Sequence, residues 1–181
     1  MMGKTNAQII LRAIEESDME RMIGLLTNDV IKKTYMVPDF ASREEAERLA
    51  RRFIELSHDE EHMVVGIELE GRLIGFINDV QKSSDTIELG YALHPDFHNR
   101  GCMTAAFEAV IDALFQQGYL LVSAGAFEEN KASIRVMEKC GMRRVTQKEH
   151  IQYRGEMHTC VYYVAANPTT DSDRKRYHTE D

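Results

Sequence analysis

Residues 87–104, Ile87-Glu88-Leu89-Gly90-Tyr91-Ala92-Leu93-His94-Pro95-Asp96-Phe97-His98-Asn99-Arg100-Gly101-Cys102-Met103-Thr104, decide the fold. Ile87, Leu89, Tyr91 and Leu93 alternate with Glu88, Gly90 and Ala92, which is the period of a strand with one apolar face. His94 to Phe97 supplies a proline-marked connection, and His98 to Thr104 brings a glycine into the start of a helix. The first N–H groups of a helix lack internal partners and lie at the positive end of its dipole. A strand, a glycine turn and a helix start in series therefore predict a cradle for a phosphate group. Gly101 lets the backbone approach such a ligand closely, and Arg100 adds a positive charge beside it.

Downstream, Met103, Ala106, Phe107, Val110, Ile111, Leu114 and Phe115 recur at helical spacing, and Gly118 is placed to end that helix. Tyr119 to Phe127 reads as a strand and Asn130 to Cys140 as a short helix ended by Gly141. Arg143 to Tyr153 and His158 to Ala165 read as two last strands around Arg154-Gly155. Upstream, Met63 to Leu69 and Arg72 to Val80 flank Glu70-Gly71 and should pair antiparallel, with polar turn material from Gln81 to Asp85. Ile9 to Ala13 suits a first strand. Ser17 with Glu20, and Ser42 with Glu45, have the spacing of capping boxes that open two amphipathic helices, the second running to about Ser57. Hairpins followed by a strand, helix, strand crossover predict a mixed sheet with helices over it, in the α+β class.

The length of 181 residues fits one domain with a single core, residues 1–166, followed by a polar tail at 167–181 that should be frayed. A composition with 43% hydrophobic and 29% charged residues, no long apolar run and no apolar leader is that of a soluble chain expected in the cytoplasm, without a membrane partner. The formal net charge of -8 argues against a nucleic-acid partner and for a cationic one such as an amine. Cys102, Cys140 and Cys160 are odd in number and far apart, so neither a disulfide framework nor a zinc knuckle is indicated.

These residues resemble the GNAT superfamily of acyl-CoA-dependent N-acetyltransferases. The family's Q/R-x-x-G-x-G/A loop falls on His98, Asn99, Arg100, Gly101, Cys102 and Met103, with His98 in place of Gln or Arg and Met103 in place of a small residue. Asn130-Lys131-Ala132-Ser133-Ile134-Arg135-Val136-Met137-Glu138-Lys139-Cys140-Gly141-Met142 resembles the matching segment of the branch that acetylates ribosomal-protein N-termini, and Ile87 to Tyr91 resembles its preceding strand. The resemblance covers roughly residues 8 to 165. It implies a mixed, mostly antiparallel twisted sheet of six to seven strands with helices on both faces. It also implies acetyl-CoA as co-substrate, its diphosphate on His98 to Thr104 and its pantetheine arm along Tyr91, Ala92 and Leu93. Asn130 would bond the pantetheine amide region, with Ser133 near the sulfur. Many members use a Tyr four residues before the last helix's glycine to protonate the leaving thiolate. Here that position is Met137, so the resemblance gives the role to Ser133 or to no side chain.

Transfer to an amine needs a neutral nucleophile, hence a base. Glu88 is the candidate, since it shares a strand face with Gly90 and Ala92, which leave room for a substrate, and burial would raise its pKa; His94 is the reserve. Lys131, Arg135 and Lys139 recur every four residues and would either line the cofactor's 3′-phosphate or form a solvated face. Cys102, in the first helical turn beside Arg100, has a thiolate reading that competes with the phosphate for the same N–H groups. His58-Asp59-Glu60-Glu61-His62 matches a zinc-protease string but sits at a helix end, so no metal is expected there. The expectation is direct acetyl transfer in a ternary complex to a protein N-terminus, a polyamine or an aminoglycoside-like amine, with a homodimer left open. A non-catalytic acyl-CoA-binding domain is the rival.

Overall fold

Two glycine-bearing turns set the hairpins in the computed structural model, which describes residues 8–168. Glu70 and Gly71 have φ of 52° and 74°, and Arg154 and Gly155 have 51° and 79°. Left-handed backbone at both central residues matches the right-handed twist of the strands it joins. The first turn connects β2, Val64–Leu69, to β3, Arg72–Lys82, and the second connects β6, Arg143–Tyr153, to β7, Glu156–Ala166. With β1, Ile10–Arg12, β4, Thr86–Leu93, and β5, Leu121–Phe127, they form a seven-stranded sheet in the order β1-β2-β3-β4-β5-β7-β6. β4 and β5 run parallel, while β1–β2, β2–β3, β5–β7 and β6–β7 are antiparallel. This is the expected mixed, mostly antiparallel sheet. The four α-helices among the described residues are α1, Met19–Leu26, α2, Arg43–Ser57, α3, Cys102–Gln116, and α4, Lys131–Lys139. None is long and apolar enough to cross a membrane.

The described residues divide into two compact units, one holding residues 8–32, Val37–Asn78 and Tyr91–Cys102, the other holding Lys33–Met36, Asp79–Gly90 and residues 103–168. In the first, Met22, Leu25, Leu26, Ala46, Ala50 and Ile54 of α1 and α2 are buried together with Ile67 and Leu69 of β2. Ser42 opens α2 as predicted, but Glu45 accepts the Ala41 N–H at 2.8 Å, one residue earlier than a capping box requires. The box expected from Ser17 and Glu20 is corrected further. Asp18 carries the turn instead, accepting the Glu15 N–H at 2.9 Å, and Glu20 pairs with Arg43. Burial works against ionising Asp18, yet the Arg12 guanidinium at 2.6 Å and the Glu15 N–H hold its carboxyl below the usual range. The end of β4 lies hard against β3. A Cβ at Gly75 would stand 2.4 Å from the Ala92 carbonyl oxygen, and the His94 N–H donates to the Ile74 carbonyl at 2.8 Å.

In the second unit α3 buries Ala106, Phe107, Val110, Ile111 and Leu114, the positions its periodicity selects. It closes at Gly118, where φ is 100° and the Tyr119 N–H reaches back to the Leu114 carbonyl. Asn167 is buried, and its side-chain amide donates to the Phe115 and Tyr119 carbonyls at 3.1 and 3.0 Å. The rest of the expected tail, from residue 169, lies outside the described residues.

Candidate functional site

The loop between β4 and α3 is shaped by two left-handed residues. Asn99 has φ of 60° and Gly101 of 80°, so the chain passes twice through the left-handed region within three residues. Nothing lies within 4 Å of the place a Gly101 Cβ would take, which leaves open space over the turn where α3 begins at Cys102. His98, Asn99 and Arg100 are exposed, Thr104 is half-buried, and Cys102 and Met103 are buried. The first N–H groups of α3, which lack partners within the helix, follow this open turn and carry the polarity that an anion requires. The His98 ring donates through Nε2 to the Leu93 carbonyl at 2.8 Å; a carbonyl only accepts, so Nε2 carries a proton. This ties the loop to the last residue of β4, a side-chain role the motif comparison had not suggested. The Arg100 guanidinium lies over the Phe97 ring, 5.3 Å from its centre, on an exposed residue. In β4 itself Tyr91 is half-buried and Ala92 and Leu93 are buried. His94 accepts the Asp96 N–H on Nδ1 at 3.3 Å.

Asn130 caps α4, its Oδ1 accepting the Ser133 N–H at 3.2 Å. The cap uses the oxygen and leaves the NH₂ group for other partners, while Ser133 is half-buried in the first turn. Met137, where the commonest acid of the resembled family would stand, is fully buried. Lys131, Arg135 and Lys139 are exposed on the opposite side of the helix.

Glu88 is half-buried on β4. Register places it opposite Ser123 of β5; Ser123 pairs Val164 and Gly125 pairs Tyr162 on β7; Cys160, two residues before Tyr162, pairs Glu149 on β6. Paired residues point to one side of a sheet and alternate residues share that side, so Glu88, Tyr162, Cys160 and Glu149 occupy a common face. The Tyr162 ring crosses Gly125, where a Cβ would come within 2.9 Å of it, and its hydroxyl donates to Glu149 at 3.0 Å. Burial, and secondarily the Glu149 charge, push the Glu88 carboxyl above its ordinary range. Burial also pushes the Tyr162 phenol and the Cys160 thiol up, so both stay protonated at neutral pH. The Cys140 thiol is pushed up to about 11, chiefly by burial. Tyr162 and Glu149 escaped the sequence reading because only strand register shows that they share the sheet face of Glu88.

The remaining sequence signals take structural places. His58 follows α2 with its ring on the Ile14 carbonyl at 3.1 Å. Among the described residues no group of His, Cys, Asp and Glu is arranged to hold a metal.

A family profile described as acetyltransferase (GNAT) domain matches residues 8–143. The chain is 30% identical over 152 residues to a probable N-acetyltransferase, YjcK, of Bacillus subtilis, an alignment covering 78% of this chain and 82% of that protein. Among solved structures, RimL, a ribosomal L7/L12 alpha-N-protein acetyltransferase in complex with coenzyme A, superposes with a TM-score of 0.79 at 17% identity, over 91% of this chain and 97% of that one. A spermidine N-acetyltransferase from Vibrio cholerae in complex with CoA and spermine gives 0.75 at 20% identity, over 90% and 97%.

Proposed function

The chain belongs to the GNAT family of acetyltransferases, and on that premise we propose that it moves the acetyl group of acetyl-CoA directly to a primary amine in a ternary complex. The observation that carries this reading is the double left-handed turn at Asn99 and Gly101, which opens space in front of the first N–H groups of α3. Those groups, with Arg100, hold the diphosphate; hydrogen bonds to a charged group contribute roughly 1.5–3 kcal/mol each and the helix dipole about 0.3–1 kcal/mol. The strand edge at Tyr91, Ala92 and Leu93 takes the pantetheine arm, Asn130 bonds its amide region, and Arg135 lies toward the 3′-phosphate.

Glu88 removes a proton from the incoming ammonium, a task for which a carboxyl raised by burial is suited. The freed nitrogen attacks the thioester carbonyl, the C–S bond breaks, and the second proton that the nitrogen then sheds reaches the leaving thiolate through the Ser133 hydroxyl or through water. The overall charge of -8 favours a cationic acceptor, drawn from protein N-termini, polyamines and aminoglycoside-like amines, and the chain works in the cytoplasm.

A free-thiol assay with acetyl-CoA and a panel of spermidine, an aminoglycoside and peptides with free N-termini tests this. At least one amine should raise thiol release above the hydrolysis background. The buried Met137 favours one rival, a domain that binds acyl-CoA without catalysis. Tight acetyl-CoA binding with no amine-dependent release across the panel would favour that rival.

A further inference from the structure

We infer that His98 is a positioning residue for the cofactor: its ring, by holding the Leu93 carbonyl, fixes the phosphate turn relative to the strand along which the pantetheine arm runs. The inference rests on the cofactor reading above and adds what joins the two halves of that site.

The last residues of β4 are held from β3 on one edge. The His94 N–H donates to the Ile74 carbonyl at 2.8 Å, and Gly75 lets β3 come up to the Ala92 carbonyl oxygen, which a Cβ there would meet at 2.4 Å. Peptide groups along a strand point alternately to its two edges, so with Ala92 and His94 turned toward β3 the Leu93 carbonyl points away from it. The His98 ring meets that carbonyl, donating through Nε2 at 2.8 Å. One short helical turn, Pro95–Phe97, makes this contact possible. It is closed by the Phe97 N–H on the His94 carbonyl and the His98 N–H on the Pro95 carbonyl, both at 3.0 Å, and it brings His98 back to the residue five places before it. Directly after the ring contact come Asn99 and Gly101 with φ of 60° and 80°, the left-handed pair that shapes the phosphate turn. Arg100 bears on Phe97 inside the same loop, whereas His98 reaches across to β4. The turn is thus registered to the strand by a side-chain hydrogen bond. Coenzyme A spans both with a single covalent chain, so its affinity depends on their spacing, and a ligand confined to the turn is insensitive to it.

The test is calorimetry on the full chain with two ligands, coenzyme A and adenosine 3′-phosphate 5′-diphosphate, which carries the diphosphate and lacks the pantetheine arm. His98→Ala should weaken coenzyme A by about tenfold, the upper range for one net hydrogen bond, and the fragment by at most about twofold. His98→Gln, whose side-chain amide sets an N–H donor at similar reach, should recover most of the coenzyme A affinity. His98→Met, similar in length and without a donor, should not. Unchanged coenzyme A affinity in His98→Ala, equal losses for the two ligands, or recovery by Met as full as by Gln overturns the inference. Failure of the cofactor reading appears separately, as wild-type protein that binds neither ligand, and it takes the inference with it.

Discussion

At the scale of single residues, Glu88 combines two properties that pull against each other. Burial raises its proton affinity, which suits a base, and the same burial penalises its charged form in the folded state. The folded chain therefore binds more protons at this site than the unfolded chain does in the interval above the ordinary carboxyl pKa. Stability contributed by Glu88 is greatest below that interval and falls as pH rises through the raised folded value. Glu88→Gln should thus raise the melting temperature at pH 8 relative to wild type, with the gain fading toward pH 4, while amine-dependent turnover drops at least tenfold. A melting temperature unchanged at both pH values would mean that the carboxylate is solvated. Glu88 and its small neighbours were legible from alternation alone. The pairing of β6 with β7 was not, because it shifts by two residues between Arg144 and Lys148, and a bulge of that kind leaves no signal in hydrophobic periodicity.

Helices and turns were the most readable elements, for a local reason: their signals lie within four residues of where they act. Gly118, Gly141 and the turns at Gly71 and Gly155 all have positive φ where the sequence placed an ending or a reversal. Capping was less readable, since several Ser, Asp and Glu residues near one helix start compete for the same N–H groups. Asp18, pinned by Arg12, displaced the Ser17 and Glu20 pair. The cap on α4 makes a separable prediction. Asn130→Ala should cost about 1 kcal/mol in urea denaturation, whereas Asn130→Asp should retain most of the cap. If the free amide of Asn130 bonds the pantetheine arm, Asn130→Asp will still weaken acetyl-CoA binding by calorimetry; equal affinity would confine Asn130 to capping. Met137 makes another. Placing at this position the tyrosine that the family resemblance leads one to expect, by Met137→Tyr, should not speed transfer. It should destabilise by about 1–3 kcal/mol, because the larger ring must enter a site with no exposure. A faster and equally stable variant would mean that the position opens toward the thioester.

For the whole molecule, the proposed function divides the work between an acidic surface and a basic turn, facing two substrates of opposite charge. A net charge of -8 would draw a cationic acceptor over distances longer than any contact, and salt screens such a field with a Debye length of about 8 Å at physiological ionic strength. With spermidine as acceptor, kcat/KM should fall several-fold between 20 and 300 mM salt at saturating acetyl-CoA, and a flat response would assign recognition to local contacts. The topology was legible in outline, since two hairpins and one strand, helix, strand crossover permit few mixed sheets. Less legible was how the loop after β4 is held. His98 departs from the usual motif residue yet ties the turn to Leu93, a contact no spacing rule contains.

Everything assigned to this chain depends on where the diphosphate sits, and a crystal structure of the protein with coenzyme A measures that directly. The diphosphate oxygens should lie within hydrogen-bonding distance of the backbone N–H groups from Arg100 to Thr104, in front of the open face of Gly101. Coenzyme A bound with its diphosphate away from this turn would contradict the account.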